Sequence, residues 1–153
     1  MAQTKRRNLA AQLEAAAHAC MRQGAQLTAL RRDVLRLVLE ADSPATAYQL
    51  LDRLKETRKG AAPPTIYRAL DFLVERGLVH KVERLNAFIP CTESGHVHHA
   101  AQFLICRRCG SVAEVDDQEV SEAIDKAARR RGFHPVSAVV ELDGTCADCA
   151  KAA

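Results

Sequence analysis

Residues 78–110, LVHKVERLNAFIPCTESGHVHHAAQFLICRRCG, lie where the character of the sequence changes. Helical periodicity and basic residues precede this stretch, whereas short strand patterns, an acidic helix and a second cysteine pair follow it. The stretch also contains most of the side chains suited to binding a metal ion, namely His80, Cys91, His96, His98, His99, Cys106 and Cys109. We therefore expect it to join two structural units and to carry metal ligands that relate them.

The composition limits the class of protein. The 153 residues are 48% hydrophobic and 27% charged, which is typical of a globular chain with one domain or two small ones. No apolar run approaches the roughly 20 residues that span a bilayer, and Gln12, Glu14 and His18 interrupt any secretory apolar core. We therefore expect a cytoplasmic protein without a membrane partner, in which Cys-x-x-Cys indicates metal more than disulfide.

The charge is divided unevenly along the chain. Residues 1–90 carry 15 Lys and Arg against 9 Asp and Glu, whereas residues 91–153 carry 7 against 10. A basic first part suggests contact with a polyanion, and the acidic second part suggests a different role. The alternative is that this asymmetry reflects surface solvation alone.

Three helices are predicted in the first part of the chain. Apolar residues recur at helical spacing over residues 7–23, and Cys20 on this apolar stripe is expected to be a packing residue and not a metal ligand. Thr28 has the pattern of an N-cap for the second helix. Ser43-Pro44 suggests the start of the third, with a capping hydroxyl followed by a proline at the first helical position.

A fourth helix and a β-hairpin follow. Pro63-Pro64 opens the helix, and Gly77 can end it in a left-handed turn. The apolar spacing predicts a core face made of Ile66, Ala69, Leu70, Leu73 and Val74. Strands are then predicted over residues 78–82 and 87–90. Four helices and a hairpin in this order are typical of a winged helix-turn-helix, in which the second helix of the turn enters the major groove of DNA.

Four side chains are placed to contact DNA in such a unit. They are Thr65, Tyr67 and Arg68 at the start of the fourth helix, and Arg84 at the tip of the hairpin. Arginine can bind guanine bidentately or bind a phosphate, and a tyrosine hydroxyl can reach phosphate. The alternatives are a half-buried core aromatic for Tyr67 and a solvated helix arginine for Arg68.

The part beyond the hairpin predicts a second, small unit. Strand patterns cover residues 101–105 and 111–115, a helical pattern covers 117–131, and a third strand pattern covers 135–142. So small a unit needs metal, dimerisation or both for stability. We thus expect an α+β protein with a winged-helix domain over residues 1–90, a hinge over 91–100 and a small α/β dimerisation domain over 101–153.

Two Cys-x-x-Cys pairs, Cys106 with Cys109 and Cys146 with Cys149, flank this second unit. Two such pairs predict a tetrahedral four-thiolate zinc site. Redox dithiols are a weaker alternative, because neither pair lies at the strand-to-helix junction that such chemistry uses. A zinc deaminase would have proline immediately before the first cysteine of its pair, whereas Ile105 precedes Cys106.

A second possible metal site consists of His80, Cys91, His99 and Glu114. One thiolate, two imidazoles and a carboxylate suit zinc better than magnesium or calcium. The residues alone leave open that these are four unrelated polar side chains.

The sequence resembles the ferric uptake regulator family, specifically its zinc uptake regulator branch. The resemblance is carried by PPTIYRALDFLVERGLVHKVERLNAFIPC at residues 63–91, by two histidines that six residues separate from CRRCG, and by the CADC at residues 146–149. It covers residues 28–149 and implies a homodimeric, zinc-dependent repressor of zinc-acquisition genes. Such a protein binds a near-palindromic operator, and zinc fixes the angle between its domains.

The resemblance also implies two zinc sites per subunit. Regulatory zinc would be held by His80, Cys91, His99 and Glu114, and structural zinc by Cys106, Cys109, Cys146 and Cys149. The run His96-Val-His98-His99 lacks the aspartate of iron- and peroxide-sensing members, so His96 and His98 are either a third site or exposed loop histidines. Cys91 favours zinc over iron or manganese.

Two rival functions stay open at this point. One is an iron or peroxide sensor of the same family, and the other is a metal enzyme stabilised by a four-cysteine zinc site. No constellation of catalytic residues is evident in the sequence, so we expect a regulator and not an enzyme.

Overall fold

The computed structural model describes residues 2–91 and 100–152, with side chains from residue 8 onward. The chain divides into two units, Met1–Val97 and His98–Ala153. His96, His98 and His99 lie outside the described residues, so the predictions made for them are not tested by the structure. Among the described residues, no helix combines the length and the apolar character needed to cross a bilayer.

The first unit contains four helices and a three-stranded sheet. Its elements are α1 (Ala2–Arg22), α2 (Ala29–Glu40), β1 (Ala45–Thr46), α3 (Ala47–Thr57), α4 (Pro63–Glu75), β2 (Val79–Val82), a 3-10 turn (Glu83–Leu85) and β3 (Ala87–Pro90). The strands are antiparallel in the order β1-β3-β2. Four helices followed by this hairpin confirm the predicted winged helix-turn-helix.

One apolar core joins all four helices to the hairpin. Its most deeply buried members are Cys20, Val34, Val38, Leu50, Leu54, Ile66, Leu70, Leu73 and Val79. Cys20 is a packing residue here, as expected, and burial raises the pKa of its thiol. The predicted core face of α4 needs one correction, because Phe72 is buried whereas Val74 is exposed.

The start of α3 differs from the prediction. Residues 45 and 46 pair with Phe88 and Ala87 as strand β1, so the chain stays extended past Ser43-Pro44. Thr46 is the N-cap, and its hydroxyl accepts a hydrogen bond from the Gln49 N–H while the Gln49 side chain accepts one from the Thr46 N–H. This reciprocal capping box satisfies two N–H groups that the helix leaves unpaired. Ser43 is therefore not the cap.

The end of α4 agrees with the prediction. Gly77 adopts a left-handed φ of 68°, which glycine tolerates without a steric cost. Its N–H donates to the Val74 carbonyl, and the Leu78 N–H donates to the Leu73 carbonyl. This paired closure is the Schellman arrangement, and it turns the chain from α4 directly into the hairpin.

The second unit is a small α/β unit built around one mixed sheet. Its elements are β4 (Ala101–Cys106), β5 (Val112–Val115), α5 (Gln118–Arg129), β6 (Val139–Gly144) and α6 (Ala147–Lys151). The order is β5-β4-β6, with β5 antiparallel and β6 parallel to β4. The third strand therefore begins at Val139 and not at residue 135, and it extends two residues beyond Leu142. The buried amide of Gln102 fastens α5 to the sheet by donating to the Asp117 carbonyl and the Ser121 hydroxyl.

Candidate metal centres and nucleic-acid interface

The four cysteines of the second unit meet at one end of its sheet. Cys106 is the last residue of β4, and in the parallel register it lies opposite Gly144, the last residue of β6. Parallel strands end at the same edge, so the turn after β4 and the turn after β6 are brought together. The Sγ atoms of Cys106, Cys109, Cys146 and Cys149 all lie within 4.8 Å of one another.

The first cysteine pair is shaped by a tight turn. The Gly110 N–H donates to the Cys106 carbonyl, and the Cys106 N–H donates to the Ser111 carbonyl. Gly110 has a left-handed φ of 72°, which few other residues adopt at low cost. The turn therefore presents the Cys106 and Cys109 thiols on the same side.

Hydrogen bonds to the sulfur atoms make the four thiols unequal. The Cys146 N–H donates to Cys106 Sγ over 3.3 Å; with the N–H groups of Cys109 and Arg108 it lowers the pKa of the Cys106 thiol to about 6. Hydrogen bonding with Cys146 and Cys109 raises the pKa of the Cys149 thiol to about 12. Without a cation the cluster retains protons at neutral pH, so metal binding must release them and must strengthen as pH rises.

The geometry fits zinc. The Sγ atoms of Cys109 and Cys146 are 3.8 Å apart, and a tetrahedron with zinc–sulfur bonds of about 2.3 Å has edges of about 3.8 Å. All six cysteines of the chain are free thiols, so no disulfide competes for these four. The four cysteine side chains thus provide a complete set of four sulfur ligands, which is the arrangement of structural zinc sites.

His80 and Cys91, two of the ligands predicted for the second site, lie side by side in the first unit. His80 is in β2 and Cys91 follows β3, and the Cys91 N–H donates to the Leu78 carbonyl, extending the hairpin ladder by one residue. The Cys91 side chain is buried, and Nε2 of His80 is a buried atom. Their metal-binding atoms lie within 4.8 Å of each other.

The other two ligands predicted for this site are His99 and Glu114. His99 lies outside the described residues. Glu114 lies in β5 of the second unit, opposite Phe103 of β4, and is half-buried. The complete set of four ligands therefore stays a prediction.

Tyr67 and Arg68, two of the predicted DNA-contacting residues of α4, face solvent. Tyr67 is 41% exposed and Arg68 is exposed, whereas their neighbours Ile66 and Ala69 are buried in the core. The helix begins at Pro63, and Thr65 is half-buried within its first turn. Tyr67 is thus not the core aromatic of the alternative interpretation. Arg84 is exposed on the 3-10 turn at the hairpin tip.

Two further residues of the first unit were not singled out from the sequence. Tyr48, in the first turn of α3, is 67% exposed. Arg31, in the first turn of α2, has its guanidinium carbon 3.5 Å from the centroid of the Phe72 ring. The signal for Tyr48 was present, since an aromatic residue lay off the apolar stripe of α3. The Arg31–Phe72 stacking depends on the packing of α2 against α4, which no local pattern reveals.

A sequence model described as the ferric uptake regulator family matches residues 22–143. The chain belongs to this family. A zinc uptake regulation protein from Escherichia coli (strain K12) is 40% identical over 149 residues, covering 97% of this chain and 85% of that protein. A zinc uptake regulation protein from Mycobacterium tuberculosis (strain H37Rv) is 34% identical over 129 residues, covering 82% of this chain and 95% of that protein.

Among solved structures, this family member is similar to a zinc uptake regulator complexed with zinc and DNA. The two share 39% identity with a TM-score of 0.89, covering 94% of this chain and 96% of that one. The relatives place the chain in the zinc uptake regulator branch, which confirms the resemblance seen in its motifs. Family and relatives are metal-responsive, DNA-binding transcription regulators and not enzymes.

Proposed function

We propose that this protein is a zinc-responsive transcriptional repressor of zinc-uptake genes. The observation that carries the proposal is the likeness to a zinc uptake regulator complexed with zinc and DNA, at 39% identity over 94% of this chain. The four-thiol cluster and the exposed first turns of α4 support it from this chain's own residues. Two zinc ions per subunit are proposed, one structural and one regulatory.

The structural zinc is assigned to Cys106, Cys109, Cys146 and Cys149. When bound, zinc supplies a fixed tetrahedral centre that the four thiolates share. The cysteines then tie the turn after β4 to the turn after β6, across 40 residues of sequence. This link stabilises a unit whose α5 helix has no buried residue.

The regulatory zinc is assigned to His80, Cys91, His99 and Glu114. The closeness of His80 and Cys91 supports the assignment, because it already provides an imidazole and a buried thiol. A thiol in the set favours zinc over the harder ions that iron and manganese sensors bind. Since these ligands come from both units, we propose that their shared binding of zinc holds the units at the angle that fits DNA.

A homodimer is proposed from the surface of the second unit. Leu104 of β4 and Leu142 of β6 are paired in the sheet and about half exposed, and a cavity of about 470 Å³ opens beside them. Phe133, Val136 and Val139 are also largely exposed. Apolar surface of this extent is typical of a face that a partner covers. A two-fold dimer would present two α4 helices to the half-sites of a near-palindromic operator.

The decisive experiment measures how zinc and DNA affect each other's binding. Coupling between two sites is reciprocal, so operator DNA must tighten zinc binding by the factor by which zinc tightens DNA binding. A typical coupling of about 1–3 kcal/mol corresponds to roughly 5- to 150-fold. Cys91→Ala and His80→Ala should leave a folded protein that keeps its structural zinc but binds operator weakly at any zinc concentration.

Titrations with zinc, iron and manganese into protein that retains its structural zinc separate the rival functions. Because zinc binds most nitrogen and sulfur sites more tightly than iron or manganese does, operator binding is compared at saturating concentrations of each metal. A zinc sensor should bind operator tightly with zinc and weakly with the other two metals, whereas an iron sensor should bind it tightly with iron. An unchanged zinc affinity on adding operator, in protein whose DNA binding improves with zinc, would show that zinc acts elsewhere. If the affinity for the DNA duplex did not change with any of the three metals, the result would favour the metal-enzyme alternative.

A further inference from the structure

A cavity of about 390 Å³ opens between the first turns of α2 and α4. The residues that line it are Thr28, Leu30, Arg31, Thr65, Arg68 and Ala69. The lining therefore includes two arginines and two threonines, and no residue with a carboxylate is among them. Donors without acidic partners at a concave site are suited to an anion.

Arg31 differs from the other arginines of α2. Arg32 pairs with Glu14, and Arg36 lies 3.7 Å from Asp33. Arg31 forms no ion pair with a described carboxylate; its Nη1 donates to the Gln26 carbonyl at 2.9 Å and its guanidinium stacks on Phe72. These two contacts fix the group in place but do not neutralise its charge.

A fixed guanidinium with donors to spare is well matched to a phosphate group. Arginine has five N–H donors, and a single donor is used by the carbonyl of Gln26. The planar fork can bind two phosphate oxygens at once, and little side-chain entropy is lost because the group is already held. Thr28 and Thr65 also line the cavity, and a threonine hydroxyl can donate a hydrogen bond to an anion.

We propose that this cavity binds one phosphate of the DNA backbone, with Arg31 as its main ligand. The proposal rests on the DNA-binding function above and adds an anchoring point to it. Arg68 lines the same cavity and lies on the exposed side of α4 beside Tyr67. A phosphate held by Arg31 would set the depth and the register of α4 on the duplex, while Arg68 reads a base.

The test compares Arg31→Gln with Arg36→Gln, a change of equal charge on the same helix but outside the cavity. Binding is measured over a series of salt concentrations on two duplexes. One is selected from a random-sequence library by zinc-loaded protein, and the other is a scrambled duplex of equal length. Arg31→Gln should reduce the slope of log affinity against log salt by about 0.9, one phosphate contact, on both duplexes, and Arg36→Gln should leave it at the wild-type value.

The phosphate is then located by methylphosphonate substitution, which removes the charge of one backbone position at a time. At one position in each half-site, the methylphosphonate should weaken DNA binding by the wild-type protein but not change DNA binding by Arg31→Gln. Free phosphate is the other possible ligand, so inorganic phosphate is added without DNA. The assignment to DNA would be wrong if inorganic phosphate stabilised the wild-type protein but not Arg31→Gln, and if no methylphosphonate position affected the two proteins differently.

Thermal unfolding is recorded for every variant, because the loss of stacking on Phe72 can weaken the fold. If Arg31→Gln is unstable, Thr65→Val decides, since it removes a cavity hydroxyl without touching Phe72. It should weaken DNA binding by about tenfold. On the duplex whose critical phosphate is replaced by methylphosphonate, Thr65→Val should cause no further loss of affinity. Additive losses, or a stable Arg31→Gln with the wild-type salt slope, refute the proposal. A library selection that recovers no sequence would refute the proposed function instead, while the scrambled duplex still tests the cavity.

Discussion

Arg68 shows how one helix can point neighbouring residues in opposite directions. Ile66, Ala69 and Leu70 are buried in the core of the first unit, and Tyr67 and Arg68 therefore lie on the side of the helix that faces solvent. Because the core fixes the rotation of α4, the direction of these two side chains is as rigid as the packing beneath them.

Arg68→Ala should weaken operator binding by about 1–3 kcal/mol more than binding to random duplex, since a bidentate contact with guanine discriminates among bases. Arg84→Ala is the matched control, because a phosphate contact at the hairpin tip should weaken both duplexes equally and reduce the salt dependence. Both variants are measured by fluorescence anisotropy with the two duplexes. Equal losses on operator and random DNA for Arg68→Ala would remove its base-reading role.

Much of this residue-level picture could be predicted from the sequence. Helical periodicity separated Tyr67 and Arg68 from the core face, but it assigned Val74 to that face and missed Phe72. The reason is that Phe72 is covered by the side chain of Arg31, which stacks on its ring. An arginine that contributes to a core through its flat face is invisible to a pattern that counts only apolar residues.

At the level of single elements, the start of α3 provides a direct test of capping. Thr46→Ala removes the hydroxyl that accepts from the Gln49 N–H and should lower the free energy of unfolding by about 1 kcal/mol. Ser43→Ala is the control, since Ser43 precedes β1 and caps nothing. Chemical denaturation of zinc-loaded protein measures both changes. Equal destabilisation by the two variants would contradict the capping box.

The misplaced cap has a clear physical cause. Ser43-Pro44 and Thr46 with Gln49 are both valid start signals, and local sequence does not rank them. The choice is made by β3, far along the chain, which pairs with residues 45 and 46 and keeps them extended. The end of α4 offered no second candidate position, so Gly77 alone predicted where that helix ends.

At the level of the whole molecule, the four-cysteine cluster should decide whether the second unit folds. Cys149→Ser or Cys106→Ser should prevent stable folding and dimerisation, because thiolate binding of zinc contributes on the order of 10 kcal/mol in small zinc domains. Ser111→Ala, an exposed change beside the same cluster, should retain zinc and fold. Zinc content and sedimentation equilibrium give the result. A stable dimer of Cys149→Ser with unchanged thermal unfolding would end the structural assignment.

The sequence predicted this cluster from spacing alone, but not how its halves meet. Each Cys-x-x-Cys pair is a local signal, whereas their meeting depends on β6 lying parallel to β4. Strand direction in a sheet is a tertiary property, set here by the return of the chain through α5. The regulatory set illustrates the remaining gap, because its predicted ligands are spread over both units and one of them, His99, is outside the described residues.

The parallel pairing of β4 with β6 also bears on how fast the second unit forms. These strands can pair only after the chain between them closes a long loop, an entropy cost that slows folding. An unfolded chain that already holds one zinc ion between Cys106 and Cys146, 40 residues apart, begins with that loop closed. Stopped-flow refolding should therefore be faster when zinc is present from the start than when it is added after denaturant dilution, which would make the supply of metal during synthesis a determinant of how much of this protein reaches its native state.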